Sequence, residues 1–176
     1  MLVLAVGLLA FSCTPDRVLE IEKDSHIMMV GNNLGSRMMN FGYFETEVYE
    51  RFPDKQLIIR NMCDPGDTPG FRPRSSTNDP WAFPGAEEFQ DEYATPSGSI
   101  GFFEKPDEWL TRLKADVVIG FFGFNESFQG KAGLENYKAE LDAFIRHTLA
   151  QKYNDSIAPQ LALVSPIAFE DLSDQL

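Results

Sequence analysis

The amino-acid sequence predicts a three-layer α/β fold with a parallel central sheet, and three observations support this prediction. Short apolar runs alternate along the chain with longer segments whose apolar residues have helical spacing. Residues 116–123 read DVVIGFFG, a nearly continuous apolar run that is typical of a strand buried on both faces. Earlier in the chain a strand, a helix and a second strand follow one another closely, as in a right-handed βαβ unit.

The individual elements follow from the same patterns. We expect four strands, at residues 27–30, 56–61, 116–123 and 160–165. Apolar residues at helical spacing predict helices over residues 36–52, 106–114 and 134–151. Pro53 stands where the first helix must end, and Pro106 lies in the first turn of the second helix. Periodicity is absent from residues 62–106, so we expect an irregular lobe of turns there.

Length and charge limit the possible functions. A chain of 176 residues fits a single domain, and 15 phenylalanines supply bulky side chains for its core. The formal net charge is −12, which disfavours nucleic acid and anionic lipid as partners because both would be repelled. We expect no cofactor.

Residues 1–13 form a short apolar segment that ends in Ser-Cys. Such a segment is typical of a secretory signal and is too short to span a membrane as a stable helix. It resembles a bacterial lipoprotein signal, in which Cys13 would carry a lipid and attach the protein to a membrane. A plain signal peptide or anchor, and a buried first strand, are the alternatives. We therefore expect an extracytoplasmic protein.

The rest of the chain divides into two parts. Residues 14–25 are polar and charged, which indicates a linker, and residues 26–176 form the folded domain. If Cys13 is lipidated or removed, Cys63 has no cysteine left to pair with, so a disulfide framework is not expected.

Polar turns follow each of the four predicted strands. They are Gly31-Asn32-Asn33, residues 61–70, residues 123–126 and Ser165-Pro166. Because the carboxyl ends of parallel strands meet at one edge of a sheet, we expect these turns to lie together. That edge is where open α/β sheets bind their ligands.

Three of these turns resemble the motifs of the SGNH/GDSL hydrolase superfamily. In that family the first strand ends in Gly-Asp-Ser, a glycine follows the second strand, and the third ends in Gly-x-Asn-Asp/Glu. This chain has Gly31-Asn32-Asn33, then Gly66 within residues 61–67, then Gly123-Phe124-Asn125-Glu126. The resemblance covers residues 27–165 and implies the three-layer, flavodoxin-like sheet of the SGNH type.

A narrower resemblance rests on residues 41–46, 72–75 and 121–128. These segments are similar to the SGNH-like domain of large secreted planctomycete-type proteins. The partner regions that accompany this domain in those proteins, which are propeller-type and haem-binding, have no counterpart here, and the haem-attachment pattern Cys-x-x-Cys-His does not occur.

The family resemblance implies roles for particular residues. Asn33 occupies the position of the nucleophilic serine, and an amide cannot form the acyl-enzyme. Gly66, through its backbone N–H, and Asn125, through its side-chain amide, match the oxyanion donors. The late Asp-x-x-His block that supplies the family's base is absent.

Nearby residues offer only weak substitutes for the missing groups. Ser36 follows Asn33 by three residues and is either a replacement nucleophile or a residue that caps or begins the helix. His26 precedes the first strand and His147 falls within the last predicted helix, so neither matches the position of the family's base.

Further side chains at the same edge are candidates for ligand binding. Asn32, Asp67 and Glu126 lie in the turns, but no spacing typical of metal ligands is present. Arg72 and Arg74 can clamp an anionic group with paired N–H donors, or they are surface ion-pair partners for this acidic chain.

Two functional hypotheses follow. The first is an esterase-type hydrolase that acts on acylated carbohydrate or similar esters, with a diverged triad. The second is a non-catalytic module that binds a polar ligand such as a glycan in the same pocket. The family's last strand and helix have no counterpart after residue 165, so we expect the sheet to be completed by a partner region or by further chain.

Overall fold

The computed structural model describes residues 18–73, 79–90 and 104–167. Within them lie four strands: β1 (His26–Gly31), β2 (Ile58–Asn61), β3 (Val117–Phe121) and β4 (Gln160–Val164). The α-helices are α1 (Asn33–Met38), α2 (Tyr43–Arg51), α3 (Pro106–Arg112), α4 (Phe124–Ser127) and α5 (Leu134–Ala150). Two short 3-10 helices cover Ala86–Phe89 and Gly130–Gly133.

The four strands form one sheet in the order β2-β1-β3-β4, and every pair is parallel. In the register of this sheet Gly31 lies opposite Phe121, which in turn lies opposite Val164. Three strands therefore end level with one another. The expected convergence of the polar turns on one edge is confirmed by this register.

Alternate residues of each strand face opposite sides of the sheet, so the protein has two hydrophobic clusters, one on each face. Ile27 and Met29 of β1 face a cluster that α1 and α2 cover, whereas Met28 and Val30 face a cluster covered by α3 and α5. Helices on both faces of the sheet give the predicted three layers. All five residues of β3 are buried, which explains why its sequence is apolar throughout rather than alternating.

The single helix predicted over residues 36–52 is wrong, because the structure has two helices there. The first begins already at Asn33, and residues 39–42 separate it from the second. That break contains Asn40 and Gly42, which are both weak helix formers. The prediction missed the break because it used only the spacing of apolar residues. The turn predicted after β3 is also a short helix, α4.

The described part of residues 62–106 is irregular, as expected, and one antiparallel bridge joins two of its segments. Phe71 and Trp81 form an isolated antiparallel bridge, and the N–H of Arg72 donates to the carbonyl of Pro80 at 2.8 Å. The N–H of Ala82 donates to the carbonyl of Gly70, also at 2.8 Å.

The described end of the predicted linker, residues 18–25, lies against the domain. The N–H of Glu20 donates to the side chain of Gln160 at 2.7 Å, and the Gln160 amide donates back to the Glu20 carbonyl at 2.7 Å. Leu19 and Ile21 pack on the cluster that α1 and α2 cover. Residues 1–17, with Cys13, lie outside the described residues.

One edge of the described sheet is β4, and its last two residues are partly exposed. The exposed fraction is 43% for Leu163 and 36% for Val164. The expectation of a partner segment at this edge stays a prediction. None of the described helices has the length and apolar content required to cross a lipid bilayer.

Close approach of the first turn to β3 explains the glycine that ends β1. Gly31 has a φ of +124°, and a Cβ at this position would overlap the backbone carbonyl of Phe121. The next N–H, that of Asn32, donates to the same carbonyl at 2.8 Å. Only glycine allows the chain to leave β1 in this direction.

We predict that Gly31→Ala lowers the free energy of unfolding by about 3 kcal/mol or more, because backbone strain and steric overlap add. The matched control is Gly85→Ala. Gly85 also has a positive φ, of +86°, but an added Cβ there meets open space. We expect the control to cost only about 1 kcal/mol. Urea unfolding of both variants measures the difference, and equal losses would show that overlap with Phe121 is unimportant.

Candidate functional site

The turns at the carboxyl edge of the sheet are joined by one side chain, the amide of Asn125. Its Oδ1 accepts a hydrogen bond from Asn33 Nδ2 at 3.3 Å. Its own Nδ2 donates to the carbonyls of Pro65, at 2.8 Å, and of Asp67, at 3.0 Å. Asn125 thereby connects the turn after β1, the loop after β2 and α4.

These bonds use the hydrogens that an oxyanion site would need. An amide nitrogen has two N–H donors, and both donors of Asn125 are directed to backbone carbonyls. The N–H of Gly66, the other predicted donor, is directed to Oδ1 of Asp64 at 3.2 Å. The structure therefore places Asn125 against Asn33 and against the loop that contains Gly66, with both Asn125 donors and the Gly66 N–H bonded within the protein.

The groups that would activate a nucleophile lie elsewhere. The chain contains two histidines. His26 begins β1, at the opposite end of the strand from Asn33, and its Nδ1 lies 2.5 Å from the carbonyl of Leu113. His147 lies on α5, where its Nε2 is 2.6 Å from Oδ2 of Asp107.

Neither Ser36 nor Cys63 is placed as an activated nucleophile. Ser36 is the fourth residue of α1, whose cap position is Asn32, and its N–H donates to the Asn32 carbonyl at 3.0 Å. Cys63 is buried, and burial, with the nearby Asp67 carboxylate, raises the pKa of its thiol far above the usual range. A thiol in such surroundings stays protonated and unreactive.

Arg72 is buried rather than exposed, with 6% of its surface accessible. Its guanidinium lies over the ring of Phe122, 4.9 Å from the centroid, and it donates to the carbonyl of Thr68. Arg72 Nε lies 3.6 Å from Oδ2 of Asp67, which is also buried. Arg72 and Asp67 thus support the loop after β2 from within. Arg74 lies outside the described residues.

Asn32 and Glu126 form a second link between the turn after β1 and α4. Asn32 is 1% exposed, and its Nδ2 donates to Oε2 of Glu126 at 3.3 Å. The same oxygen accepts the N–H of Gly123 at 2.8 Å. Oε1 of Glu126 is buried and has no hydrogen-bond partner among the described residues. Burial raises the pKa of this carboxyl.

Glu140 was not predicted from the sequence. It lies on α5 with 1% of its surface exposed, and its Oε1 accepts three hydrogen bonds. The donors are the Thr68 hydroxyl at 2.7 Å, the Gly70 N–H at 2.9 Å and the Gln90 amide at 2.7 Å. Burial raises the pKa of this carboxyl as well. The available signal was its position, three residues after Tyr137 and four before Phe144, on the apolar stripe of α5.

Of the cavities in the described structure, one lies beside Asn33 and another beside Glu126 and Glu140. A groove of about 620 Å³ runs over Asn33 towards the end of β4 and is mostly apolar, with Phe124 and Ile167 among its walls. A polar cavity of about 370 Å³ lies beside α4 and shares none of these lining residues. Its walls include both carboxylate residues, Glu126 and Glu140, together with Tyr137.

No cluster of three or more metal-ligating side chains occurs within residues 18–73, 79–90 and 104–167. Comparisons of the chain with protein-family models, with curated proteins and with solved structures found no match.

We predict that Glu126→Gln reduces the dependence of stability on pH. Because burial raises the pKa of Glu126 above its ordinary value of 4.5, the folded state holds a proton that the unfolded chain has already released. The contribution of this group to stability is therefore greatest below about pH 4.5, and it is lost as the pH rises through the raised pKa. The variant should lose less stability than the parent between about pH 5 and about pH 8.

Urea midpoints across this pH range measure the effect. Glu47→Gln is the matched control, because Glu47 lies on the surface of α2 and pairs with Arg51 among the residues that the structure describes. An unchanged pH dependence in Glu126→Gln would contradict the assigned effect of burial.

Proposed function

We propose that this chain is a non-hydrolytic, extracytoplasmic domain that binds a glycan, on a scaffold similar to that of the SGNH/GDSL hydrolases. The observation that carries the proposal is the hydrogen bond between Asn33 and Asn125. At the position of the nucleophile stands an amide. Its partner directs both of its N–H donors to backbone carbonyls, where they hold the turns together.

Ester hydrolysis would require three groups that this site does not bring together. It needs a nucleophile with an ionisable proton, a base within hydrogen-bond distance, and donors for the oxyanion. Asn33 has no such proton, and the two histidines of the chain contact Leu113 and Asp107 instead. The resemblance to hydrolases therefore supports the architecture of a binding pocket rather than the reaction.

A neutral or cationic glycan suits the exposed surface around α4. Phe128 is 77% exposed and Phe124 is 42% exposed, and their rings meet edge to face with centroids 5.3 Å apart. A sugar ring has an apolar face of C–H groups that can stack on such aromatic rings, while its hydroxyls donate to nearby carboxylates and amides. The net charge of −12 disfavours an anionic ligand.

The extracytoplasmic location is part of this proposal and is supported by the apolar opening of the sequence. Residues 1–13 resemble a lipoprotein signal, and a lipid on Cys13 would hold the domain at a membrane surface.

We predict that the protein hydrolyses aryl acetates no faster than buffer does, and that Asn33→Ser leaves this rate unchanged. A serine at this position has no histidine to accept its proton, so it remains a weak nucleophile. Asn40→Ser, an exchange on the exposed connection between α1 and α2, is the matched control. Release of the aryl alcohol is followed by absorbance. A burst that a serine-directed phosphonate abolishes would overturn the proposal.

We also predict retention of the protein on some members of a panel of immobilised oligosaccharides, and recovery of the same oligosaccharides intact when they are incubated with the protein in free form. Intact sugar is expected because a binding site without a nucleophile releases its ligand unchanged. Chromatography of the incubated free oligosaccharide checks this point. Absence of retention across neutral, amino and acidic oligosaccharides would contradict glycan binding.

A further inference from the structure

The polar cavity beside α4 is a separate site from the groove over Asn33. It lies between α4, the start of α5 and the loop that contains Pro65, Gly66 and Thr68. Its volume of about 370 Å³ falls in the range of small-ligand sites, about 300–1,000 Å³. Polar groups of Gln90, Asn136 and Tyr137 contribute to its walls, so it has the mixed lining that a polar ligand requires.

Two carboxylates give this cavity its chemical character. All three hydrogen bonds to Glu140 converge on Oε1, which leaves Oε2 to accept from another donor. The bonds to Glu126 likewise converge on Oε2, and its Oε1 has no partner among the described residues. Each carboxylate therefore has one oxygen bonded by the protein and one that receives no hydrogen bond from the described residues.

The charge of the buried Arg72 acts on both carboxylates, and its guanidinium Nε also lies 3.6 Å from Oδ2 of Asp67. The described residues that line the cavity include no lysine, arginine or histidine. Neither Glu126 nor Glu140 forms a salt bridge within residues 18–73, 79–90 and 104–167. One guanidinium does not balance three carboxylates, so a bound cation with N–H donors would offset both the remaining charge and the missing hydrogen bonds.

The cation is better supplied by an organic ammonium group than by a metal ion. Divalent metals take six or more oxygen ligands or a tetrahedral set, and the described residues hold no cluster of three or more metal-ligating side chains. A primary ammonium has three N–H donors on one centre, which suits two carboxylates and the neighbouring phenol of Tyr137. Burial, together with those carboxylates, raises the pKa of Tyr137 to about 12, so its hydroxyl stays neutral.

An aromatic ring at the rim indicates what the ammonium is attached to. Phe128 lines the cavity and is 77% exposed, held edge to face by Phe124. The side-chain amides of Gln129 and Asn136 also line the cavity and can exchange hydrogen bonds with hydroxyls. A ring with an apolar face, several hydroxyls and one amine matches these three features together.

We propose that the cavity between Glu126 and Glu140 binds an amino sugar through its free, protonated amine, with the sugar ring stacked on Phe128. This inference rests on the proposed glycan-binding function and specifies both its ligand class and its location.

The test compares two oligosaccharides that differ only in the amine. Glucosamine tetramer carries free amines, whereas its fully N-acetylated form has the same rings without positive charge. Isothermal titration of the full chain should show at least about tenfold weaker binding of the N-acetylated tetramer. Equal affinities would overturn the role of the ammonium, and binding of neither tetramer would overturn the inference as a whole.

Three variants locate the site. Glu126→Gln and Phe128→Ala should each weaken binding of the glucosamine tetramer by about tenfold or more. Phe128→Ala alters an exposed side chain, so its effect does not depend on changes in the fold. Glu135→Gln is the matched control, since it removes the same charge from the exposed face of α5 and should change affinity less than about twofold.

The outcomes separate this inference from the proposed function. If both test variants bind like the parent, the amino sugar is bound elsewhere and the cavity assignment is wrong, while non-hydrolytic glycan binding stands. If the phosphonate-sensitive burst with aryl acetate is observed, the proposed function itself fails. If tenfold losses appear in both test variants and not in the control, the location and the ligand class are both supported.

Discussion

The arrangement of the carboxyl edge depends on the side-chain amide of Asn125. Three parallel strands end level there, and the turns that follow them have no regular structure in common. Asn125 joins the turn after β1, the loop after β2 and α4, because it accepts from Asn33 and donates to two carbonyls of the loop after β2. A buried or half-buried amide stabilises a loop only when each of its N–H donors has an acceptor, because a donor without an acceptor lowers the stability of the fold by about 1–3 kcal/mol. That requirement competes directly with catalysis. The N–H groups that stabilise the turns are the ones that an oxyanion would need.

Burial of the Glu126 and Glu140 carboxylates destabilises the folded state, yet both side chains line the same polar cavity. Each holds part of the structure with one oxygen, Glu126 through Asn32 and Gly123, and Glu140 through Thr68, Gly70 and Gln90. Removal of such charges from water is unfavourable, which is why burial raises their pKa values. Sites with this conflict are frequent where proteins bind ligands, because a ligand can supply the missing charge. The same conflict explains why stability and binding at this edge are expected to be coupled.

The sequence predicted the strands and the long helix to within two residues, since their patterns are local. Residues 116–123 read as a buried strand because every residue after Asp116 is apolar, and the structure has β3 at Val117–Phe121. Sequence patterns failed where helix and turn share a composition. The break at residues 39–42 was missed because apolar residues continue at helical spacing across it, and α4 was missed because four residues are too short for any period. Arg72 was expected to bind a ligand or lie at the surface, yet the rings of Phe122 and Phe144 lie against its guanidinium.

The sequence by itself determined the architecture and the identity of the groups at the carboxyl edge. Parallel strands must end together, so Asn33, Gly66 and Asn125 had to meet wherever the four apolar runs formed one sheet. Only the tertiary structure decided what those groups do. Hydrogen bonds between residues 58 to 92 positions apart, such as those of Asn125, depend on distances of a few tenths of an ångström that no local pattern encodes. Glu140 likewise became part of a site because the loop after β2 folds onto α5, which brings three donors to a carboxylate that its own helix leaves unpaired.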